Sequence, residues 1–166
     1  MIVTKKKKQN TTIGISEYKL STDVNDTLIT YSLGSCLGVT LYDPVSMVGG
    51  LIHCQLPLSS LDEQKAQLMP AMFVSSGIPK IFENMYDRGA VKNRIILKAA
   101  GCSNIMDPNG RFNIGERNLI LLKKLTWKNK ILIAAQDVGG NVARTMSLVI
   151  NTGKTYIKKN GITSEL

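Results

Sequence analysis

Three short apolar segments, separated by turn-forming residues, occupy residues 28–54 and constrain the fold more than any other feature of the chain. The segments are LITYSL, LGVTLYD and VGGLIHC. A Gly-Ser pair separates the first segment from the second. Asp43 and Pro44 follow the second, and both suit the early positions of a tight reversal. The pattern predicts three strands, the last two of which form a β-hairpin.

This hairpin would bring the only histidine of the chain, His53, close to Cys36. The two positions are equally distant from a turn centred next to Pro44, so we expect the two residues to lie opposite each other. Opposed residues in an antiparallel pair have Cβ atoms about 4.5–5.5 Å apart. A register slip of one residue would send one of the side chains to the other face of the sheet.

A cysteine beside a histidine suggests a nucleophile and its base. The thiolate is the attacking form, and a free cysteine with a pKa of about 8.5 is mostly protonated at neutral pH. An imidazole next to it can take the proton and later return it to a leaving amine. Taken singly, Cys36 fits a small buried apolar residue and His53 fits a hydrogen-bonded structural residue. Their pairing supports the catalytic interpretation.

Three further residues are candidates for supporting roles around this pair. Thr30 lies on the preceding strand, and its hydroxyl could orient the imidazole. Backbone N–H groups at Gly34, Ser35 and Cys36 could form an oxyanion hole, because glycine lets a turn adopt the required conformation. Ser35 also fits an ordinary turn residue.

A metal site is the competing use of the cysteines at positions 36, 54 and 102 together with His53. The spacing argues against it. His53 and Cys54 are adjacent on a predicted strand and so face opposite ways, and no CxxC-type pair supplies two ligands from one turn. We therefore expect no metal and interpret Cys54 as a core residue.

The composition is that of one globular domain of 166 residues with 43% hydrophobic content. No apolar run approaches the roughly 18 residues of a membrane span. The N-terminal lysines are not followed by an apolar stretch, so no secretory signal is predicted. Three cysteines without framework spacing suggest reduced thiols. We expect a cytoplasmic protein without direct membrane insertion.

The formal net charge of +9 raises the possibility of nucleic-acid binding. Four of the positive charges, however, are the consecutive lysines at positions 5–8. Three Phe and one Trp supply few stacking surfaces, and no nucleic-acid-binding motif stands out. We expect no nucleic-acid partner, and an acidic protein partner would account for a basic face equally well.

Periodicity along the rest of the chain predicts an α+β fold in layers. Residues 1–12 are expected to be a basic, disordered tail, residues 13–160 the single domain and residues 161–166 a C-terminal tail. Residues 58–67 are expected to form a polar surface loop. Helices are predicted at residues 70–87, with a kink or break at Gly77 and Pro79, and at residues 115–128. Further strands are predicted at residues 13–20, 94–100, 131–138, 144–150 and 154–158.

With these motifs in view, the chain resembles the chemoreceptor glutamine deamidases, the CheD family of bacterial chemotaxis. The resemblance covers residues 13–158. It rests on GSC, LYDP, GG and IHCQLP in the first third, on IGERN at residues 114–118, and on DVGGN at residues 137–141 with Arg144 and the NTGK that follows. The cysteine and histidine of the first block are separated by 17 positions, and the combination is specific.

The resemblance implies a cysteine-dependent amidohydrolase that converts glutamines of chemoreceptor cytoplasmic helices to glutamate without a cofactor. It assigns the catalytic roles to Cys36, His53 and Thr30. It also implies an α/β sandwich with mixed sheets, similar to the deamidase domain of cytotoxic necrotizing toxins. A CheC-type phosphatase is the partner it implies. Two alternatives stay open: a binding module that mainly docks to such a phosphatase, and methylesterase activity on the same receptor side chains.

The chain departs from the family pattern at two places. The family pattern leads us to expect a second glycine after Gly101, where this chain has Cys102. A side chain there could narrow a close backbone approach. The lysine run at positions 5–8 is also not part of the expected pattern.

Overall fold

The structure, a computed structural model, describes residues 8–105 and 107–166. Two five-stranded sheets and three helices make up this part of the chain. The helices are α1 (Glu63–Leu68), α2 (Val74–Tyr86) and α3 (Ile114–Lys128). The strands are β1 (Gln9–Thr12), β2 (Tyr18–Ser21), β3 (Asp26–Leu33), β4 (Leu37–Asp43), β5 (Val48–Cys54), β6 (Ile96–Gly101), β7 (Ile133–Val138), β8 (Arg144–Val149), β9 (Lys154–Lys159) and β10 (Ile162–Glu165).

Both sheets are mixed, as predicted for an α+β fold. The first has the order β1-β3-β8-β9-β10 and the second the order β2-β5-β4-β6-β7. The β1/β3 and β6/β7 pairs are parallel, and the other pairs are antiparallel. Every residue of β4 and β5 is buried, which identifies these two strands as the centre of the layered structure.

Two apolar layers enclose the central strands. The layer between the two sheets contains Ile13, Leu28, Leu33, Leu51 and Met146. The layer between the second sheet and the helices contains β4, β5 and β6 side chains together with α2 and α3 residues such as Leu37, Cys54, Ile78, Ile81 and Leu122. Because side chains alternate along a strand, Cys54 faces the helices while its neighbour in β5, His53, faces the first sheet.

The three strands predicted at residues 28–54 are confirmed. The turn between β4 and β5 is held by Asp43, whose side chain is completely buried. Its Oδ1 accepts a hydrogen bond from Val45 N at 2.9 Å, and its Oδ2 lies 2.7 Å from Arg94 Nη2. Burial alone would raise the pKa of Asp43, but Arg94 and the backbone N–H donors outweigh it and hold the pKa far below the usual range. The turn is therefore held by an ionised carboxylate whose two oxygens both accept hydrogen bonds.

The ends of the folded region differ from the prediction. Gln9–Thr12 were expected in a disordered tail but pair with β3, and Ile162–Glu165 were expected in a C-terminal tail but pair with β9. Both are exposed edge strands. Their sequences therefore lack the alternation of apolar and polar residues that predicts a half-buried strand. Lys8 is exposed, and the lysines at positions 5–7 lie outside the described residues.

The strand predicted at residues 13–20 is wrong in its first half. Gly14 and Glu17 form a turn, in which Glu17 N donates to Gly14 O and Gly14 N donates to Glu17 Oε2. Ser16 adopts a left-handed conformation with φ 64°. A short polar turn therefore interrupts the run, and β2 begins only at Tyr18.

The region expected to be a polar loop at residues 58–67 contains a 3-10 turn and α1. Asp62 caps α1 because its Oδ1 accepts from Lys65 N at 2.9 Å. The helix predicted from residue 70 begins at Val74 after a 3-10 turn, and it continues through Gly77 and Pro79 without a break. A Cβ at Gly77 would lie 2.9 Å from Ala71 Cα, so the glycine permits close packing at this point. Among the described residues, no helix is both long and apolar enough to cross a membrane.

Candidate active site

The β4/β5 register places His53 opposite Gly38 and Cys54 opposite Leu37. Cys36 therefore lies two positions beyond the residue that faces His53, and the prediction that the two are directly opposed is wrong. The difference is an even number of residues, so the side-chain alternation keeps both on the same face. Cys36, which directly precedes β4, packs against the apolar layer between the sheets. The register thus places Cys36 diagonal to His53 on the sheet, where neighbouring Cα positions are about 7–8 Å apart.

Thr30 approaches His53 from the opposite sheet. Its Oγ1 lies 2.7 Å from His53 Nδ1 and 2.8 Å from the Ile13 carbonyl oxygen. A hydroxyl has one proton, and the carbonyl oxygen of Ile13 can only accept, so that proton goes to Ile13. Thr30 Oγ1 must then accept from His53 Nδ1–H. This arrangement fixes the tautomer in which Nε2 carries the lone pair.

His53 Nε2 is buried and has no hydrogen-bond partner among the described residues. Burial of the imidazole lowers the pKa of His53 to about 4, from an ordinary value of 6.5. The ring is therefore neutral at physiological pH. An unpaired, buried nitrogen with a free lone pair is an acceptor without a donor, which is the state required of a resting general base.

Cys36 is half-buried, whereas Cys54 and Cys102 are buried. Burial raises the pKa of the Cys36 thiol, and its own backbone N–H partly opposes this shift. Burial also raises the pKa of Cys102 to about 12 and raises that of Cys54 further. At rest Cys36 is consequently a thiol and His53 a neutral imidazole, and Cys36 is the most accessible of the three thiols.

The turn that carries Cys36 is held by the segment after β6. Cys102 N donates to Cys36 O at 2.8 Å, and Ser103 N donates to Gly34 O at 2.8 Å. Gly101 has φ 96°, and a Cβ there would collide with the Cys36 carbonyl oxygen. Cys102 itself has φ 54°. Glycine is favoured in that left-handed region, so the position where we expected a second glycine is one where a side chain is strained.

His53 is held through its backbone as well as its ring. Ser16 N donates to His53 O at 2.9 Å, and His53 N donates to Glu17 O at 3.0 Å. Sequence reasoning missed these contacts and the Ile13 carbonyl that fixes Thr30. Backbone groups leave no signature in residue type, so no sequence signal could have found them.

Gly34 and Ser35 are half-buried in the turn before Cys36. Ser35 lines a cavity of about 220 Å³ together with Ser103, Phe112 and Gly115. The Gly34 carbonyl oxygen accepts a hydrogen bond from Ser103 N at 2.8 Å. An oxyanion hole built from the N–H groups of this turn stays a prediction.

Among the described residues, no group of three or more His, Cys, Asp or Glu side chains is placed to hold a metal ion. His53 and Cys54 point into different layers, as expected from their adjacency on β5.

The chain is similar in sequence to known proteins of one family. A family model described as CheD chemotactic sensory transduction matches residues 55–159. A protein of Syntrophus aciditrophicus named probable chemoreceptor glutamine deamidase CheD 1 is 46% identical over 149 residues, which cover 90% of this chain and 93% of the relative. Relatives named probable chemoreceptor glutamine deamidase CheD occur in Solibacter usitatus, at 40% identity over 93% of this chain and 91% of the relative, and in Pyrococcus horikoshii, at 35% identity over 89% and 90%.

Proposed function

The chain belongs to the CheD family of chemotactic sensory transduction proteins, and from that membership we infer that it deamidates glutamine side chains of chemoreceptors to glutamate. The observation that supports this chemistry best is the contact of Thr30 Oγ1 with His53 Nδ1. It leaves Nε2 as an unpaired base on the face of the sheet that carries Cys36. We propose Cys36 as nucleophile, His53 as general base and acid, and Thr30 as the group that orients the imidazole.

In the first step, His53 Nε2 takes the proton from Cys36 Sγ, and the sulfur attacks the side-chain carbonyl carbon of a receptor glutamine. The carbonyl oxygen becomes an oxyanion. Backbone N–H groups at Gly34, Ser35 and Cys36 belong to the turn that carries the nucleophile. We assign the stabilisation of the oxyanion to them.

In the second step, the protonated His53 returns the proton to the leaving nitrogen, so that ammonia departs and a thioester to Cys36 forms. Nε2 then takes a proton from water, whose oxygen attacks the thioester carbonyl. Glutamate is released, and the proton returns to Cys36 Sγ. The balance is one water consumed and one ammonia released, with no cofactor.

The low pKa of His53 suits the second step more than the first. Because burial disfavours the imidazolium, the protonated ring is a strong acid towards the leaving nitrogen. The same property makes removal of the thiol proton less favourable. We propose that bound substrate brings the thiol and the imidazole into contact and so offsets this cost.

Ammonia release tests the proposal. Purified protein is incubated with a chemoreceptor cytoplasmic fragment, and ammonia and methanol are measured in parallel. We expect ammonia with the wild type and none with Cys36→Ala. Methanol without ammonia would instead indicate that the same nucleophile acts as a methylesterase.

We place the protein in the cytoplasm, where the cytoplasmic helices of its receptor substrates lie. Docking to a CheC-type phosphatase, which the family resemblance implies, is proposed as a second role that does not require catalysis. A pull-down with wild type and Cys36→Ala tests it. Equal capture of the phosphatase by both proteins is the expected result, and a phosphatase captured by neither would remove this role.

A further inference from the structure

The paired strands β4 and β5 separate directly beside the nucleophile. Their ladder ends at the pair Leu37 and Cys54. Before β4, the chain is hydrogen-bonded to the segment after β6. After β5, Gln55 N and Leu56 N both donate to Met72 O at 2.9 Å. The result is a fork between Ser35 and Gln55, at the end of the hairpin that carries Cys36.

The side chain of Asn118, from α3, bridges this fork. Its Nδ2 donates to Ser35 O at 3.1 Å and to Gln55 O at 3.2 Å. One amide group thereby supplies a hydrogen bond to each branch. Ser35 directly precedes Cys36, and Gln55 lies two residues after His53, so the bridge joins the segment of the nucleophile to that of the base.

Asn118 is itself held firmly. It is completely buried. One turn earlier on α3, Gly115 packs so closely on the backbone of Cys102 that a Cβ would lie 2.6 Å from its carbonyl carbon. One turn later, Leu122 is buried in the layer between helices and sheet. The Asn118 amide therefore reaches the fork from a helix that is packed on both sides of it.

The other half of the amide shows why a polar residue is present. Asn118 Oδ1 is buried and has no hydrogen-bond partner among the described residues. Burying an unpaired amide oxygen is unfavourable. If the position required only volume, an apolar side chain of similar size would be more stable. The two donated hydrogen bonds are the remaining reason for asparagine.

We propose that Asn118 is a positioning residue of the deamidation site, which fixes the separation between the Cys36 turn and the end of the strand that carries His53. This inference rests on the proposed function for its catalytic consequence. Asn118 acts through the backbone of Ser35 and Gln55 and does not itself act on the substrate.

The test compares Asn118→Asp and Asn118→Ala with the wild type. Aspartate keeps the shape but loses both donors, and alanine removes the amide. Asn129→Asp is the matched control, because Asn129 is an exposed residue after the same helix whose Nδ2 also donates to a backbone carbonyl, that of Leu125. We expect kcat to fall about 10- to 100-fold in both Asn118 variants with KM changed less than about twofold, and the control to match the wild type.

A second readout does not depend on deamidation. Alkylation of Cys36 by iodoacetamide at neutral pH is followed by mass spectrometry of its peptide in the wild type, the Asn118 variants and His53→Gln. Because His53 must be aligned to take the thiol proton, we expect the Asn118 variants to react about tenfold more slowly than the wild type and to approach His53→Gln.

These readouts separate the two hypotheses. A wild type that is inactive on receptor fragments would defeat the proposed function, while the alkylation rates still decide the role of Asn118. Wild-type kcat in both Asn118 variants, or faster alkylation through a loosened turn, would overturn the positioning role. So would failure of both variants to fold, since it would assign Asn118 to the stability of the whole domain.

Discussion

Thr30 Oγ1, on the first sheet, lies 2.7 Å from His53 Nδ1, on the second sheet. This contact orients the imidazole. The site is therefore a property of the packing between the two sheets and of neither sheet alone. The hydroxyl proton of Thr30 is committed to the carbonyl of Ile13, so the direction of the contact is fixed. Loss of this one hydroxyl should disturb the base without disturbing the nucleophile.

Thr30→Val tests that expectation. Valine keeps the shape but leaves His53 Nδ1–H and the Ile13 carbonyl unpaired, which costs about 1–3 kcal/mol for each buried group. We expect kcat on receptor fragments to fall about 10- to 100-fold and the thermal midpoint to drop. Thr30→Ser is the control that keeps the hydroxyl. Equal activities of the valine and serine variants would contradict the orienting role.

The pH dependence of activity should report the unusual pKa of His53. The base works only when Nε2 is unprotonated, and burial lowers the pKa to about 4. Activity should therefore persist below the ordinary histidine value of 6.5 and decline as the pH falls through about 4. Initial rates across this range, with the folded fraction followed by circular dichroism, measure the profile. An acid limb centred near pH 6.5 would show that the imidazole is not buried as described.

Stability should depend on pH through the same residue. His53 has a lower pKa in the folded than in the unfolded chain, so between about pH 4 and 6.5 the unfolded chain binds more protons. The free energy of unfolding should be fully retained above pH 6.5 and fall by about 3 kcal/mol as the pH drops towards 4. Asp43 has a lowered pKa, so its contribution is lost only at lower pH, as the carboxylate is protonated.

His53→Gln isolates this effect, because glutamine does not titrate. Urea unfolding of both proteins between pH 4 and 7 measures the slopes. The variant should show a flatter dependence than the wild type in this window. Parallel curves for the two proteins would mean that other groups cause the slope.

Gly101→Ala should damage the site through the backbone. Its φ of 96° disfavours a side chain by about 1–2 kcal/mol, and the new Cβ would also press on the Cys36 carbonyl. Gly140→Ala is the matched control, since Gly140 has φ 69° but open space around its Cβ position. We expect both variants to lose stability and only Gly101→Ala to lose activity. Equal activity of the two would argue against the Gly101 contact as a support of Cys36.

The sequence predicted the hairpin well because its information is local. Alternating apolar residues and the Asp43-Pro44 turn located β4 and β5. The register was missed by two residues because the turn was centred beside Pro44. Asp43 in fact pairs with Val48, so the turn spans residues 44–47, with Met47 in the left-handed region at φ 54°.

Local sequence patterns could not predict contacts between segments that are distant in the chain. Thr30 was suggested by its hydroxyl and named by the family resemblance, but its bond to His53 depends on how two sheets pack. Asn118 lay inside the noted IGERN motif, yet nothing in that motif shows that its amide reaches Ser35 and Gln55. Exposed edge strands such as β1 were missed because they bury too little to create a pattern.

The proposed role of Cys36 as the nucleophile that converts receptor glutamine to glutamate can be measured directly. A chemoreceptor cytoplasmic fragment is incubated with the wild type or with Cys36→Ala, digested, and each glutamine-containing peptide is followed by mass spectrometry. We predict conversion of specific glutamines to glutamate by the wild type alone. No conversion by the wild type, or equal conversion by Cys36→Ala, would contradict it.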